Sequence, residues 1–114
     1  MKLLFVGEER SNLAIQRNLT WESGRLAAKQ LFDALIPLGI DPKKCKFTNW
    51  FEKPGPNIVK NHKGHVIGMG QKVQKALEKE GIEHIKLIHP AARGKIRKKE
   101  RYLRHVREQL GALA

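Results

Sequence analysis

Apolar residues fall in four short runs, each followed by a polar or glycine-bearing stretch and then by positions spaced three or four apart. The first run, Lys2 to Val6, is too brief for a helix of its own and shows no alternation, which fits a strand buried on both faces. Gly7 to Thr20 is polar, with no clean period, so it reads as a loop at the carboxyl end of that strand. From Thr20 or Ser23, either of which can cap a helix, Ala27, Leu31, Leu35 and Leu38 recur at helical spacing, and Ala28, Phe32 and Ala34 widen the stripe. Pro37, Gly39 and Pro42 end that helix.

Lys44 to Phe51 reads as a second strand, and Lys53-Pro54-Gly55-Pro56-Asn57 as a turn or loop. His65 to Gly70 is a third strand running into glycines. Gln71 to Glu80 then forms a helix with Val73, Ala76 and Leu77 inward and Gly81 as its stop. Ile85 to Ile88 is a fourth strand. After the loop His89-Pro90-Ala91-Ala92, a basic helix runs to about Leu110 on an apolar face of Ile96, Leu103, Val106 and Leu110.

Four strand–helix units in succession predict an α/β fold: a three-layer sandwich with a four-stranded parallel sheet, helices on both faces and right-handed crossovers. At 114 residues the chain has room for one core, hence a single domain over 1–114. Ligands of such sheets bind outside the carboxyl ends of the strands. That edge collects Gly7-Glu8-Glu9-Arg10-Ser11, Thr48-Asn49-Trp50-Phe51, Gly68-Met69-Gly70 and His89-Pro90-Ala91-Ala92-Arg93.

Composition narrows the partners. The net charge is +12, and the segment from Arg93 to Arg107 holds eight Lys/Arg against Glu100 alone, supplying +7 of it. A localised basic stripe suits a phosphate backbone. No run approaches the ~18 apolar residues of a membrane span, and the first apolar run breaks at Gly7-Glu8-Glu9, too early for a signal segment. Cys45 is the sole cysteine, which excludes an internal disulfide and a cysteine-built metal site within one chain and suggests the reducing cytoplasm. His62 and His65 have no carboxylate near them in sequence, a poor zinc pattern. Gly68 and Gly70 before a helix offer amides to a phosphate, although close packing also accounts for them.

Glu8, Asn49 and His89, gathered at one crevice, carry a resemblance. In order and spacing, Val6-Gly7-Glu8, Thr48-Asn49, Gly68-Met69-Gly70 and His89-Pro90-Ala91-Ala92 resemble the motifs of the uracil-DNA glycosylase superfamily over essentially the whole chain. They are most similar to those of the bacterial and archaeal branch whose first motif begins Gly-Glu. The resemblance implies hydrolysis of the N-glycosidic bond of uracil, or a related damaged base, after the nucleotide is flipped out of DNA. It gives Glu8 a water to position and an oxocarbenium-like sugar to stabilise, and gives His89 a hydrogen bond to donate to uracil O2. Asn49 then reads the base, and Trp21, three residues before Gly24, stacks on it where the family commonly has Phe. Arg93, Lys95, Arg97 and Lys98 would hold phosphates. The implied partner is single- or double-stranded DNA, with the protein a monomer that needs no membrane.

Two departures accompany the resemblance. Glu9-Arg10-Ser11 stands where the family usually has proline and glycine, and Cys45 alone cannot supply the four cysteines with which many members of that branch hold an iron–sulfur cluster. No metal or cofactor is therefore implied. Without the chemistry, the same fold and basic face describe a non-catalytic nucleic-acid-binding protein with a vestigial pocket. A nucleotide-binding protein using the Gly68/Gly70 turn is a third possibility.

Overall fold

The computed structural model describes residues 2–92 and 98–113. Its strands are β1 (Leu3–Gly7), β2 (Lys46–Asn49), β3 (His65–Met69) and β4 (Ile85–Leu87), and its helices are α1 (Asn12–Gln16), α2 (Ala27–Leu35), α3 (Gly55–Asn61), α4 (Gln71–Lys79) and α5 (Lys99–Leu110). The strands form one sheet in the order β2-β1-β3-β4, and every pairing is parallel. The predicted α/β sandwich is thus the observed one.

Alternation along β1 feeds both layers. Leu3 and Phe5 join Ile67, Met69 and Leu87 beneath Leu31, Leu35, Tyr102, Val106 and Leu110, which come from α2 and α5. Leu4, Val6 and Val66 face the other way, against Val59 of α3 and Val73 and Leu77 of α4. All five β1 residues are buried, which explains why the strand reads as an unbroken apolar run. The three fully buried aliphatic or aromatic side chains of this strand, Leu4, Phe5 and Val6, are worth about 1.5–3 kcal/mol each in removed apolar surface, making β1 the spine of the core. Among the described residues no helix is long and apolar enough to cross a membrane.

The chain departs from its expected elements in four places. The stretch after β1 is not all loop: Ser11 caps α1 by accepting the Ala14 N–H at 3.2 Å, and Ala14 is buried. Five residues are too few to display a period. The first crossover helix starts later than Thr20 or Ser23. Trp21–Ser23 is a separate turn of 3-10 helix, closed by Gly24 at φ +67, and α2 begins at Ala27 after Leu26, which also has positive φ (+58). At the far end Ile36–Leu38 tightens to 3-10 geometry around Pro37. The second strand is only Lys46–Asn49, because Pro42–Lys44 forms a 3-10 turn and the chain bends after Asn49. Finally, the proline-rich turn at 53–57 runs into a helix, since Pro56 in the first turn of α3 costs no hydrogen bond.

The connection from β1 leads to β2 on one side, and the connection from β2 leads back across β1 to β3 on the other. The chain changes direction between β1 and β3, so the carboxyl ends of those strands border the crevice where open parallel sheets take ligands.

Candidate active site

Gly7 ends β1 in register with Asn49 at the end of β2. A methyl group on Gly7 would lie 2.7 Å from Asn49 Oδ1 and 2.8 Å from Trp21 Cζ2. The bare glycine therefore lets both side chains settle over the strand end. The Trp21 ring packs near-parallel to Phe47, at 6.2 Å between centroids and 18° between planes, and its Nε1–H donates to Asn49 Oδ1 at 2.9 Å. Asn49 Nδ2 donates to Glu52 Oε2 at 2.8 Å. Glu52 in turn accepts the backbone N–H of Arg10 at 2.9 Å and Arg10 Nε–H at 3.0 Å. Partial burial raises the Glu52 carboxyl, but the Arg10 donors, the guanidinium charge and the Asn49 amide outweigh it and bring the group below the usual carboxylate range.

His89 follows β4. Its Nδ1 accepts the backbone N–H of Ala91 at 3.0 Å, so in the neutral ring the proton is on Nε2. Burial lowers the pKa below the ordinary imidazole value, and the Glu8 carboxylate opposes that shift in part. The imidazole is tilted at 57° to the Trp21 ring, 6.1 Å away. The loop bearing it is tied to α5 at Ile88: the Ile88 N–H donates to His105 Nε2 at 2.9 Å, and the Ile88 carbonyl accepts Tyr102 O–H at 2.8 Å. Burial pushes the Tyr102 phenol up and the His105 imidazole down, and Glu108 partly opposes the latter, so both hydrogen bonds are made by neutral groups near pH 7.

Trp21, Asn49 and His89 share a cavity of about 250 Å³, closed on the α1 and α2 side by Ala14, Leu19 and Leu26. A second hollow of about 180 Å³ lies where Trp21 and Asn49 meet Thr48, Glu52 and Lys53. Glu8 acts electrostatically on His89, yet it does not line the cavity; its Oε1 pairs with Lys72 Nζ at 3.2 Å, and that ammonium sits 5.2 Å from the Phe51 ring centre. Three of the four sequence-derived chemical residues thus meet at one cavity, with Glu8 beside it.

The phosphate-holding set is placed only in part. Lys98 is exposed immediately before α5 and outside the cavity wall, whereas Arg93, Lys95 and Arg97, with the apolar Ile96, lie outside the described residues. Lys99, Arg101, Arg104 and Arg107 continue the exposed basic face, and Tyr102, a position the apolar pattern omitted, is buried with Val106 and Leu110. Among the described residues no cluster of three His, Cys, Asp or Glu side chains could hold a metal ion.

Sequence reasoning also missed Glu52, Arg10, Lys72 and His105. Glu52 had a local signal, an Asn-x-x-Glu spacing on the turn after a strand. The others pair across long separations and had none. Comparison of the chain with protein-family models, with curated proteins and with solved structures finds no match.

Proposed function

We propose that the protein is a DNA-repair-type glycosylase of the cytoplasm. It hydrolyses the N-glycosidic bond of uracil, or a related damaged base, after flipping the nucleotide out of DNA. One observation carries the reading: a neutral imidazole whose Nε2 is the donor shares a cavity, at the carboxyl ends of the strands, with an asparagine amide of fixed orientation. Uracil asks for that pair. Its O2 gains negative charge as the bond breaks and is met by His89 Nε2–H; its N3–H and O4 meet the second lone pair of Asn49 Oδ1 and the second hydrogen of Nδ2.

In the reaction the C1′–N1 bond breaks with its electron pair on the base. Water supplies the new C1′–O bond and its proton ends on the departing uracil. Glu8 stabilises the cationic sugar and orients the water. A neutral His89 suits this chemistry, because its Nε2–H donates to O2 without the ring first gaining a proton. The exposed basic face of Lys98, Lys99, Arg101 and Arg104 supports a phosphate backbone as the partner, with Arg93, Lys95 and Arg97 assigned to it as well. The protein acts as a monomer, without metal or cofactor.

The Glu8–Lys72 ion pair, outside the cavity wall, favours a second reading, a nucleic-acid-binding protein of the same fold that has lost the chemistry. Incubation with a uracil-bearing oligonucleotide in chelator separates the two. A glycosylase leaves alkali-labile abasic sites, and both Glu8→Gln and His89→Ala abolish them. Binding that ignores uracil, weakens with salt and leaves every base in place supports the second reading instead.

A further inference from the structure

A half-turn of an asparagine amide exchanges its acceptor and donor ends. With Oδ1 toward N3 the amide accepts from uracil; exchanged, it donates to the bare N3 of cytosine and accepts from the amino group beside it. Orientation alone therefore separates the two pyrimidines. At Asn49 the orientation is held by two neighbours of opposite kind. The Trp21 Nε1–H can only donate and stands 2.9 Å from Oδ1, and the ionised Glu52 carboxylate can only accept and takes Nδ2–H at 2.8 Å. An exchanged amide would set N–H against N–H and oxygen against carboxylate oxygen, replacing two hydrogen bonds with two repulsions. Glu52 cannot swing to follow, because the Arg10 backbone N–H fixes Oε2 and Arg10 Nε–H fixes Oε1.

We propose that Trp21 and Glu52, with Arg10 behind Glu52, clamp the Asn49 amide in the uracil-accepting orientation and so make the site reject cytosine. The clamp rests on the uracil-site reading of the cavity. Glu52 is a positioning residue that acts through Asn49, and Trp21 contributes its ring edge. The hydrogen bond keeps Asn49 Oδ1 near the indole plane, whereas a base stacked on that ring would lie about 3.5 Å above it. One base cannot be stacked on Trp21 and read in-plane by Asn49 in this arrangement. Trp21 is thus a wall and a donor in place of a platform.

The test uses Trp21→Phe, Glu52→Ala, both together, and Trp21→Phe with Glu52→Gln. Each is incubated with single-stranded oligonucleotides bearing one uracil, or one cytosine at the same position, and the released bases are measured. Either single variant still has one holder and keeps rejecting cytosine, at an expected loss of about tenfold in uracil release per hydrogen bond removed. The Trp21→Phe/Glu52→Ala protein has none, and its uracil-to-cytosine ratio falls by about a hundredfold. Glu52→Gln restores selection in the Trp21→Phe background, because the Arg10 backbone N–H holds the glutamine oxygen at the Oε2 position, where it still accepts from Asn49 Nδ2; a purely structural role for the carboxylate charge would give no such rescue. Retention of wild-type selection by the folded double variant overturns the clamp alone. Absence of uracil release from the wild type overturns the uracil-site reading and the clamp with it.

Discussion

Replacing Gly7 with alanine should dislodge the Trp21–Asn49 pair. The new methyl would lie 2.7 Å from Asn49 Oδ1, 2.8 Å from Trp21 Cζ2 and 3.2 Å from Trp21 Nε1, against a favourable separation of about 3.5–4.0 Å. None of these atoms ends a free side chain: the indole packs along Phe47, and the amide is held by Trp21 and Glu52. Overpacking of this kind costs about 1–3 kcal/mol. Gly7 is not among the residues of positive φ, so alanine brings no backbone strain there and recovers about 0.5 kcal/mol from the less free unfolded chain. The net loss is about 0.5–2.5 kcal/mol, equivalent for a domain of this length to a Tm lower by roughly 2–10 °C. Thermal unfolding measures it. Gly111→Ala serves as the control, because a methyl there meets only Arg107 Cγ at an ordinary 3.7 Å in helical backbone. The two tryptophan indole N–H resonances add the local readout, with Trp21 expected to shift and Trp50 to stay. A Gly7→Ala protein with wild-type Tm and an unmoved Trp21 signal would refute the close-approach argument.

Three further outcomes follow from the site. His89 and His105 both have pKa values lowered by burial, so the unfolded chain binds their protons more tightly; stability is full above the unfolded histidine value of about 6.5 and declines as pH falls below it toward the lowered native values. Urea titrations at stepped pH should show this slope, and it should flatten in His89→Gln if His89 carries its share. Tyr102→Phe removes the hydrogen bond to the Ile88 carbonyl next to His89, and should cost about 1–2 kcal/mol in urea denaturation while lowering uracil release; unchanged stability and release would mean that α5 does not position the loop. Lys72→Ala breaks an exposed ion pair and should change stability by less than about 1 kcal/mol, so a larger loss would show that Glu8 depends on Lys72 for more than a surface contact.

Much of this architecture was legible because burial writes itself into residue choice. The apolar run of β1 is buried throughout, and the spacing of Val73 and Leu77 shows which side of α4 is inward. Parallel connectivity then put Asn49 and His89 at one edge, since residues just past strand ends must share it. What escaped notice was of two kinds. Helices α1 and α3 have five and seven residues, too few for a repeating face to emerge. The contacts that shape the site join Trp21 to Asn49, Arg10 to Glu52 and Tyr102 to the Ile88 carbonyl, groups brought together by the completed sheet and distant in sequence. Trp21 illustrates the limit. The family resemblance implied a stacking ring there, but only three-dimensional placement reveals that its edge is engaged with the Asn49 amide.

Mass-spectrometric detection of free base, after wild-type protein in chelator is mixed in excess with an oligonucleotide holding a single uracil, separates a glycosylase from a binding protein. One equivalent of uracil in solution and an abasic site left in the strand are expected, with neither produced by Glu8→Gln. An intact strand recovered from a stable protein–DNA complex would overturn the glycosylase reading.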